Sequence, residues 1–322
     1  MIVEVTRGDL VESIHEVAAC AASARGDVLL RTGDIESPVF LRSTAKPFIA
    51  AAAIEAGVRE AFDLDMREIA VMSASHAGEP FHIDAVRSIL HKIGVDELAL
   101  QCGAQEGRGP DAIYNNCSGK HAGILALCRV LGSDVTTYTD ESNEAEQYVL
   151  RFCARISDDD PLTWPLGVDG CGIPVYATSL RKAAMAFARF ASLTQLESRD
   201  AMALLVVRDA MVSHPEYVAG TREFDSRVMW AGAGAIACKA GAEGVHGLAM
   251  IPSGVGLASK VLDGATRARY PATMACLRAL GSPVAKASDL AGFADPIVYN
   301  RAGRAVGTVR AVPDFAVEQA ST

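Results

Sequence analysis

Glu12-Ser13-Ile14-His15-Glu16-Val17-Ala18-Ala19-Cys20-Ala21-Ala22 alternates polar and apolar side chains before closing on a run of small ones. That is the period-two pattern of a β-strand. A second run, Asp27 to Arg31, follows after Arg25 and Gly26, so the pair predicts an N-terminal antiparallel hairpin. The far end of the chain has the same character. Between Ala235 and Val261 short β-like runs are broken by Gly241, Gly244, Gly247, Gly254 and Gly256, and Ile297 to Tyr299 and Ala305 to Val312 flank the turn Asn300 to Gly303.

Between these ends the period changes to that of helices. Lys46 to Ala56 is alanine-rich, with Pro47 allowed in the first turn and Gly57 where a C-cap belongs. Further helical patterns are expected at about 66–73, 80–93, 121–131, 143–156, 176–190, 194–212 and 266–280. Sheet at both ends with helices between predicts an α+β fold in which N- and C-terminal strands share one antiparallel sheet. The expected organisation is one catalytic unit spanning 1–322, with a helical region of about 46–232 set between the sheet segments. Residues 317–322 read as a frayed tail.

Composition narrows the function. In 322 residues, 50% hydrophobic and 21% charged content is that of a folded globular chain. A net charge of −9 repels a phosphate backbone, which argues against nucleic acid as a partner. The longest apolar run, Val228 to Cys238, is interrupted by two glycines and falls short of the ~18 residues a membrane span needs. The N-terminus mixes Glu4, Arg7, Asp9, Glu12 and Glu16 where a signal peptide would be apolar, so a cytoplasmic location is expected. Eight cysteines without a C-x-x-C pair read as reduced, buried thiols.

Four segments could carry chemistry. In Arg42-Ser43-Thr44-Ala45-Lys46-Pro47 a hydroxyl and an amine stand three residues apart as a helix begins, so helical spacing makes them neighbours. Such a pair can attack an amide if the lysine is uncharged, and the helix start leaves backbone N–H groups to hold an oxyanion. The bland reading is a cap and an exposed stem, and Ser179-Leu180-Arg181-Lys182 shows how readily the spacing recurs by chance. Met72-Ser73-Ala74-Ser75-His76-Ala77-Gly78-Glu79 gathers hydroxyls and an imidazole at a helix end, where capping is the alternative. Lys239 follows an apolar strand-like run and is either a buried functional amine or an edge-strand charge. Asn116-Cys117-Ser118-Gly119-Lys120-His121 and Asp169-Gly170-Cys171-Gly172-Ile173-Pro174 are two glycine turns, each with a thiol. Cys117, Cys171, Asp169 and either Lys120 or His121 could form a tetrahedral zinc site, or the cysteines could simply be packed.

Together with Val5-Thr6-Arg7-Gly8, Glu12-Ser13-Ile14-His15 and Lys239-Ala240-Gly241-Ala242-Glu243-Gly244, these segments resemble the asparaginase II family, the rhizobial-type, zinc-containing L-asparaginases, over essentially the whole chain. The resemblance implies a fold similar to serine β-lactamases and glutaminases and hydrolysis of L-asparagine to L-aspartate and ammonia through a serine acyl-enzyme. It implies two Ser/Lys pairs, Ser43 with Lys46 and Ser75 with Lys239, meeting in space. Two ammonium groups held close cannot both stay charged, so one becomes a base. Ser43 is the expected nucleophile and Lys46 its base, with Ser75 and Lys239 relaying the proton to the departing ammonia; Ser75 as the attacking hydroxyl stays open. The resemblance also implies zinc on Cys117, Lys120 and Cys171 with Asp169 beside it, Arg42 and His121 gripping the substrate carboxylate, and a homodimer. The alternatives are a glutaminase or penicillin-recognising serine hydrolase, and a zinc-organised binding protein without catalysis.

Overall fold

Leu10–Ala22 is a long strand with two kinds of surroundings, alternately exposed in its first half and continuously buried from Val17 onward. The small side chains of the second half allow that, because they lie between layers on both faces. The protein is described by a computed structural model covering residues 1–317. It forms two compact units, one from Met1–Val39, Thr178–Ser192 and Arg227 onward, the other from Phe40–Ala177 and Leu193–Ser226.

The first unit is built on an antiparallel sheet. Its strands run in the order Ile297–Tyr299, Ala305–Val312, Ile2–Arg7, Leu10–Ala22, Val255–Val261, Val245–Met250 and Ile236–Ala240. Chain start and chain end are thus neighbours, Val3 lying opposite Ala311, as the terminal runs predict. Val28–Thr32 pairs with the end of Leu10–Ala22 in the expected hairpin. Of the predicted tail, Val317 pairs with Leu30 in a short strand, while residues 318–322 lie outside the described residues.

Two helices cover this sheet on opposite faces. A Cβ on Gly256 would stand 2.0 Å from Ala184 O and 2.2 Å from Ala188 N, so only glycine lets Leu180–Ser192 lie this close. Three residues further along the same strand, and so on its other face, lies Ser259, whose cross-strand partner His246 bonds Thr273 Oγ1 of helix Thr266–Ala279 at 2.8 Å. Strand residues of opposite parity face opposite ways, which places the helices on the two sides.

The second unit is helical. Lys46–Glu55 is buried from Lys46 through Ile54, and its sequence KPFIAAAAIE has no polar stripe. A helix apolar all round is a central one, and Ser118–Leu131, Glu144–Ser157 and Ser198–Ser213 pack around it. It ends where Gly57 takes φ +92°. The pattern read as helical over 176–190 divides: Pro174–Thr178 is a strand paired with Leu166–Val168, and the helix begins at Leu180. Val175, Tyr176 and Thr178 favour extended backbone, and the side chain of Ser179 caps the helix by accepting from Lys182 N–H at 3.1 Å. The Ser179/Lys182 spacing is therefore a helix cap. No helix among the described residues is long and apolar enough to cross a membrane, and all eight cysteines are free and buried.

Candidate active site

Within the helical unit the central helix begins with a strained step. Arg42 has φ +51°, a left-handed backbone costing an ordinary residue about 1–2 kcal/mol, and Arg42–Ala45 then winds as a 3-10 turn into Lys46–Glu55. This turn sets Ser43 half-buried and Lys46 almost fully buried, at 1% exposure. The Lys46 ammonium donates to Ala74 O at 2.6 Å, Ser75 Oγ at 3.0 Å and Cys117 Sγ at 3.2 Å. Lys46 Nζ thus meets Ser75, while Ser43 bonds Lys46 only through its carbonyl, which accepts from the Lys46 backbone N–H.

Ser75 owes its place to the stop of helix Met66–Met72. The chain leaves the helix after Ser73, Ser75 N–H bonding Val218 O and His76 N–H bonding Asn116 O. His76 itself is structural. Ser118 Oγ donates to Ile113 O, so it must accept from His76 Nε2 at 2.9 Å, while His76 Nδ1 accepts from Gly78 N–H. Burial, then neighbouring His82, Lys46 and Arg108, hold this imidazole neutral, well below its ordinary pKa.

The thiols converge beside Lys46. Cys117 precedes helix Ser118–Leu131, Lys120 lies in that helix's first turn, and Cys171 sits in the tight turn between Leu166–Val168 and Pro174–Thr178. Lys120 Nζ lies 3.0 Å from Cys171 Sγ. Cys117 is hydrogen-bonded to Cys171, which lowers its pKa well below the usual thiol value against the effect of burial; Lys46 and Lys120 add to the lowering. Cys171 is pushed up by the same neighbour and by burial, so Cys117 is the more acidic thiol of the pair. Burial alone would lower Lys120, but Cys117, Cys171 and Asp169 together raise it. Two thiols with a carboxylate and an amine beside them offer donors of the kind a tetrahedral zinc site takes, the sulfurs being its usual ligands.

Asp169 is fixed beside them. It accepts from Arg42 Nε at 2.9 Å and from Gly170 N–H at 2.7 Å, and although burial raises its pKa, Lys120 and Arg42 bring it below the usual value. His121 is turned elsewhere: its Nδ1 shares a 2.7 Å hydrogen bond with the Tyr138 hydroxyl, which also accepts from Gln101 N–H, and its buried Nε2 has no hydrogen-bond partner. Lys239 belongs to the sheet unit, in strand Ile236–Ala240, where it is fully buried with Nζ donating to Ala240 O at 2.6 Å.

A cavity opens in the helical unit between Arg42, Lys46, Lys120, Asp169 and Glu146, closed by Ile49, Val149, Leu150 and Tyr176. Glu146 is the member that sequence reading missed. It stands three residues after Asn143 at the start of helix Glu144–Ser157, a spacing that by itself suggests a cap. Burial pushes its carboxyl up to about 8, with Lys120 opposing.

A family model described as L-asparaginase II matches residues 3–311. Among solved structures, Mglu in its native form is similar at 16% identity and TM-score 0.48, covering 81% of this chain and 62% of that one. A beta-lactamase from Mycobacterium bovis is similar at 15% identity and TM-score 0.41, covering 77% of this chain and 88% of that one. This chain thus spans less than two thirds of the length of that Mglu. No curated protein matches it.

Proposed function

The chain belongs to the L-asparaginase II family, and from that premise we propose that it is an amidohydrolase that converts L-asparagine to L-aspartate and ammonia. The observation that carries the mechanism is the almost fully buried Lys46, its Nζ 3.0 Å from Ser75 Oγ and three residues along the same turn from Ser43. An amine so placed can move a proton to or from an attacking alcohol. In the proposed reaction Ser43 Oγ adds to the side-chain amide carbon while Lys46 takes its proton. Ser75 passes a proton on to the leaving nitrogen, the C–N bond breaks, and water then cleaves the aspartyl ester. Lys239 serves as the base of the second pair. Arg42, lining the cavity, is the proposed grip for the substrate carboxylate. His121 is proposed for the same task through its unpartnered Nε2.

Zinc is proposed on Cys117, Lys120 and Cys171, with Asp169 beside it. When bound it would neutralise the thiolates and tie the two glycine turns together, and Lys120 must lose its proton to donate to it. A homodimer is proposed as the working assembly. The test of function is ammonia release by the purified protein from L-asparagine and L-glutamine, repeated with Ser43→Ala and Ser75→Ala. Release from L-asparagine with L-glutamine much poorer, and a loss of roughly 100-fold or more in Ser43→Ala, is the expected result. An inert native protein would end the proposal, and a greater loss in Ser75→Ala than in Ser43→Ala would transfer the nucleophile to Ser75.

A further inference from the structure

Glu146 occupies the N3 position of helix Glu144–Ser157, where a glutamate commonly reaches back to the N–H of the capping residue. Helix Met66–Met72 does this, Asp65 N–H donating to Glu68 Oε2 at 2.7 Å. At the second helix the local role is already filled. Asn143 N–H donates to Asp140 O at 2.9 Å, and the Asn143 side chain accepts from Ala145 N–H at 2.9 Å. Glu146 is left to turn inward, only 5% exposed, with Oε1 buried and without a hydrogen-bond partner.

A buried carboxyl with an orphan oxygen costs about 1–3 kcal/mol unless something meets it, and a cation brought against Glu146 would let it ionise despite its burial. The other acidic groups around the cavity are engaged or exposed, Asp169 being held by Arg42 and Glu141 lying at the surface. The cavity lining carries the guanidinium of Arg42 and the amines of Lys46 and Lys120 against this one carboxyl group without a hydrogen bond. An α-amino acid brings an ammonium beside its own carboxylate, and so offers Glu146 the partner it lacks while giving the Arg42 guanidinium a carboxylate.

We propose that Glu146 receives the α-ammonium of the substrate, so that the cavity selects α-amino acids over dicarboxylates and their amides that lack the amine. The inference rests on reading this cavity as the amino-acid site of the hydrolase. The paired positions complement each other: a carboxylate pocket at Glu146 and a guanidinium at Arg42 would hold the two charged groups on Cα and leave the side-chain amide to the serines.

The experiment compares binding of L-aspartate and succinate, which differ only by that ammonium, to the full-length protein by calorimetry, in the native chain, Glu146→Gln and Glu146→Asp. The native protein is expected to prefer L-aspartate by about tenfold or more, as a charge-assisted contact of this kind allows. Glu146→Gln should lose most of that preference while keeping its affinity for succinate, and Glu146→Asp should retain part of it. Equal binding of both ligands by the native protein, an undiminished preference in Glu146→Gln, or loss of succinate binding in both variants would overturn the inference, the last pointing to a structural role. Failure of the native protein to hydrolyse L-asparagine while still preferring L-aspartate would sink the reaction and leave this subsite standing.

Discussion

Lys46 Nζ touches Ser75 Oγ and Cys117 Sγ at once, so the proposed proton-transfer group and the proposed metal ligands share an atom. A change at the thiols is felt at the hydroxyl, and contacts joined in this way do not add independently. Cys171 offers the cleanest handle, because it stands on a separate turn and meets Lys120 without touching Lys46 directly. Outer-shell partners alone are worth roughly 10- to 100-fold in metal affinity, so Cys171→Ser should lower zinc affinity by at least that much. Elemental analysis of protein purified with and without added zinc checks it, and undiminished metal would remove Cys171 from the ligand set. At this scale the motif residues were legible because hydroxyl, amine and thiol announce their chemistry. Their pairing was not. Lys46 and Ser75 are 29 positions apart, and that meeting depends on how two helices cross. Glu146 escaped notice because its spacing from Asn143 has an ordinary explanation that the backbone around Asp140 makes unnecessary.

The first turn of Ser118–Leu131 carries Lys120, and it is held against the end of Met66–Met72 by a missing side chain. A Cβ on Gly119 would come within 2.1 Å of Val71 O, a distance no rotamer change can relieve. In an open helix Gly→Ala stabilises by up to about 1 kcal/mol. Here the clash is with backbone, and overpacking of that kind costs about 1–3 kcal/mol. Gly119→Ala should therefore lower the urea midpoint, and a midpoint equal to or above that of the native protein would show that the two helices can separate freely. Among the elements, long periodic ones were readable: the alanine-rich helix after Lys46 and the strand pair around Asn300–Gly303 stand where their patterns put them. The short strand Pro174–Thr178 was merged into the next helix because five residues without clear alternation carry little signal against a strong helical run after them. The left-handed Arg42 had no signal at all, since arginine is not a residue that favours that conformation.

At the scale of the molecule, two stacked imidazoles tie stability to pH. His76 and His82 lie with ring centroids 5.0 Å apart, and burial is the first cause lowering both pKa values, with charge repulsion from Arg108 added to each. A depressed histidine pKa means that the unfolded chain takes up a proton near pH 6.5 that the folded one refuses. Stability attributable to these groups is complete above that value and is lost as pH falls through it towards the folded-state pKa. His82 is the tractable one, accepting from Glu79 N–H and donating to Glu216 O. The urea midpoint of the native protein should fall between pH 7.5 and 5.5, a window bracketing ~6.5, and Glu79 and Glu216 remain in place in His82→Gln, whose midpoint should fall less. Identical pH slopes would remove His82 from the account. The register that places Val3 opposite Ala311 has a consequence of another kind, one for synthesis. A nascent chain emerging from the ribosome displays its first two strands long before Val255–Val261 and Ala305–Val312 exist to flank them. Assembly of that sheet waits on the closing of a loop almost as long as the polypeptide, which makes for slow maturation and a period in which unpaired strand edges are open to aggregation or to chaperones.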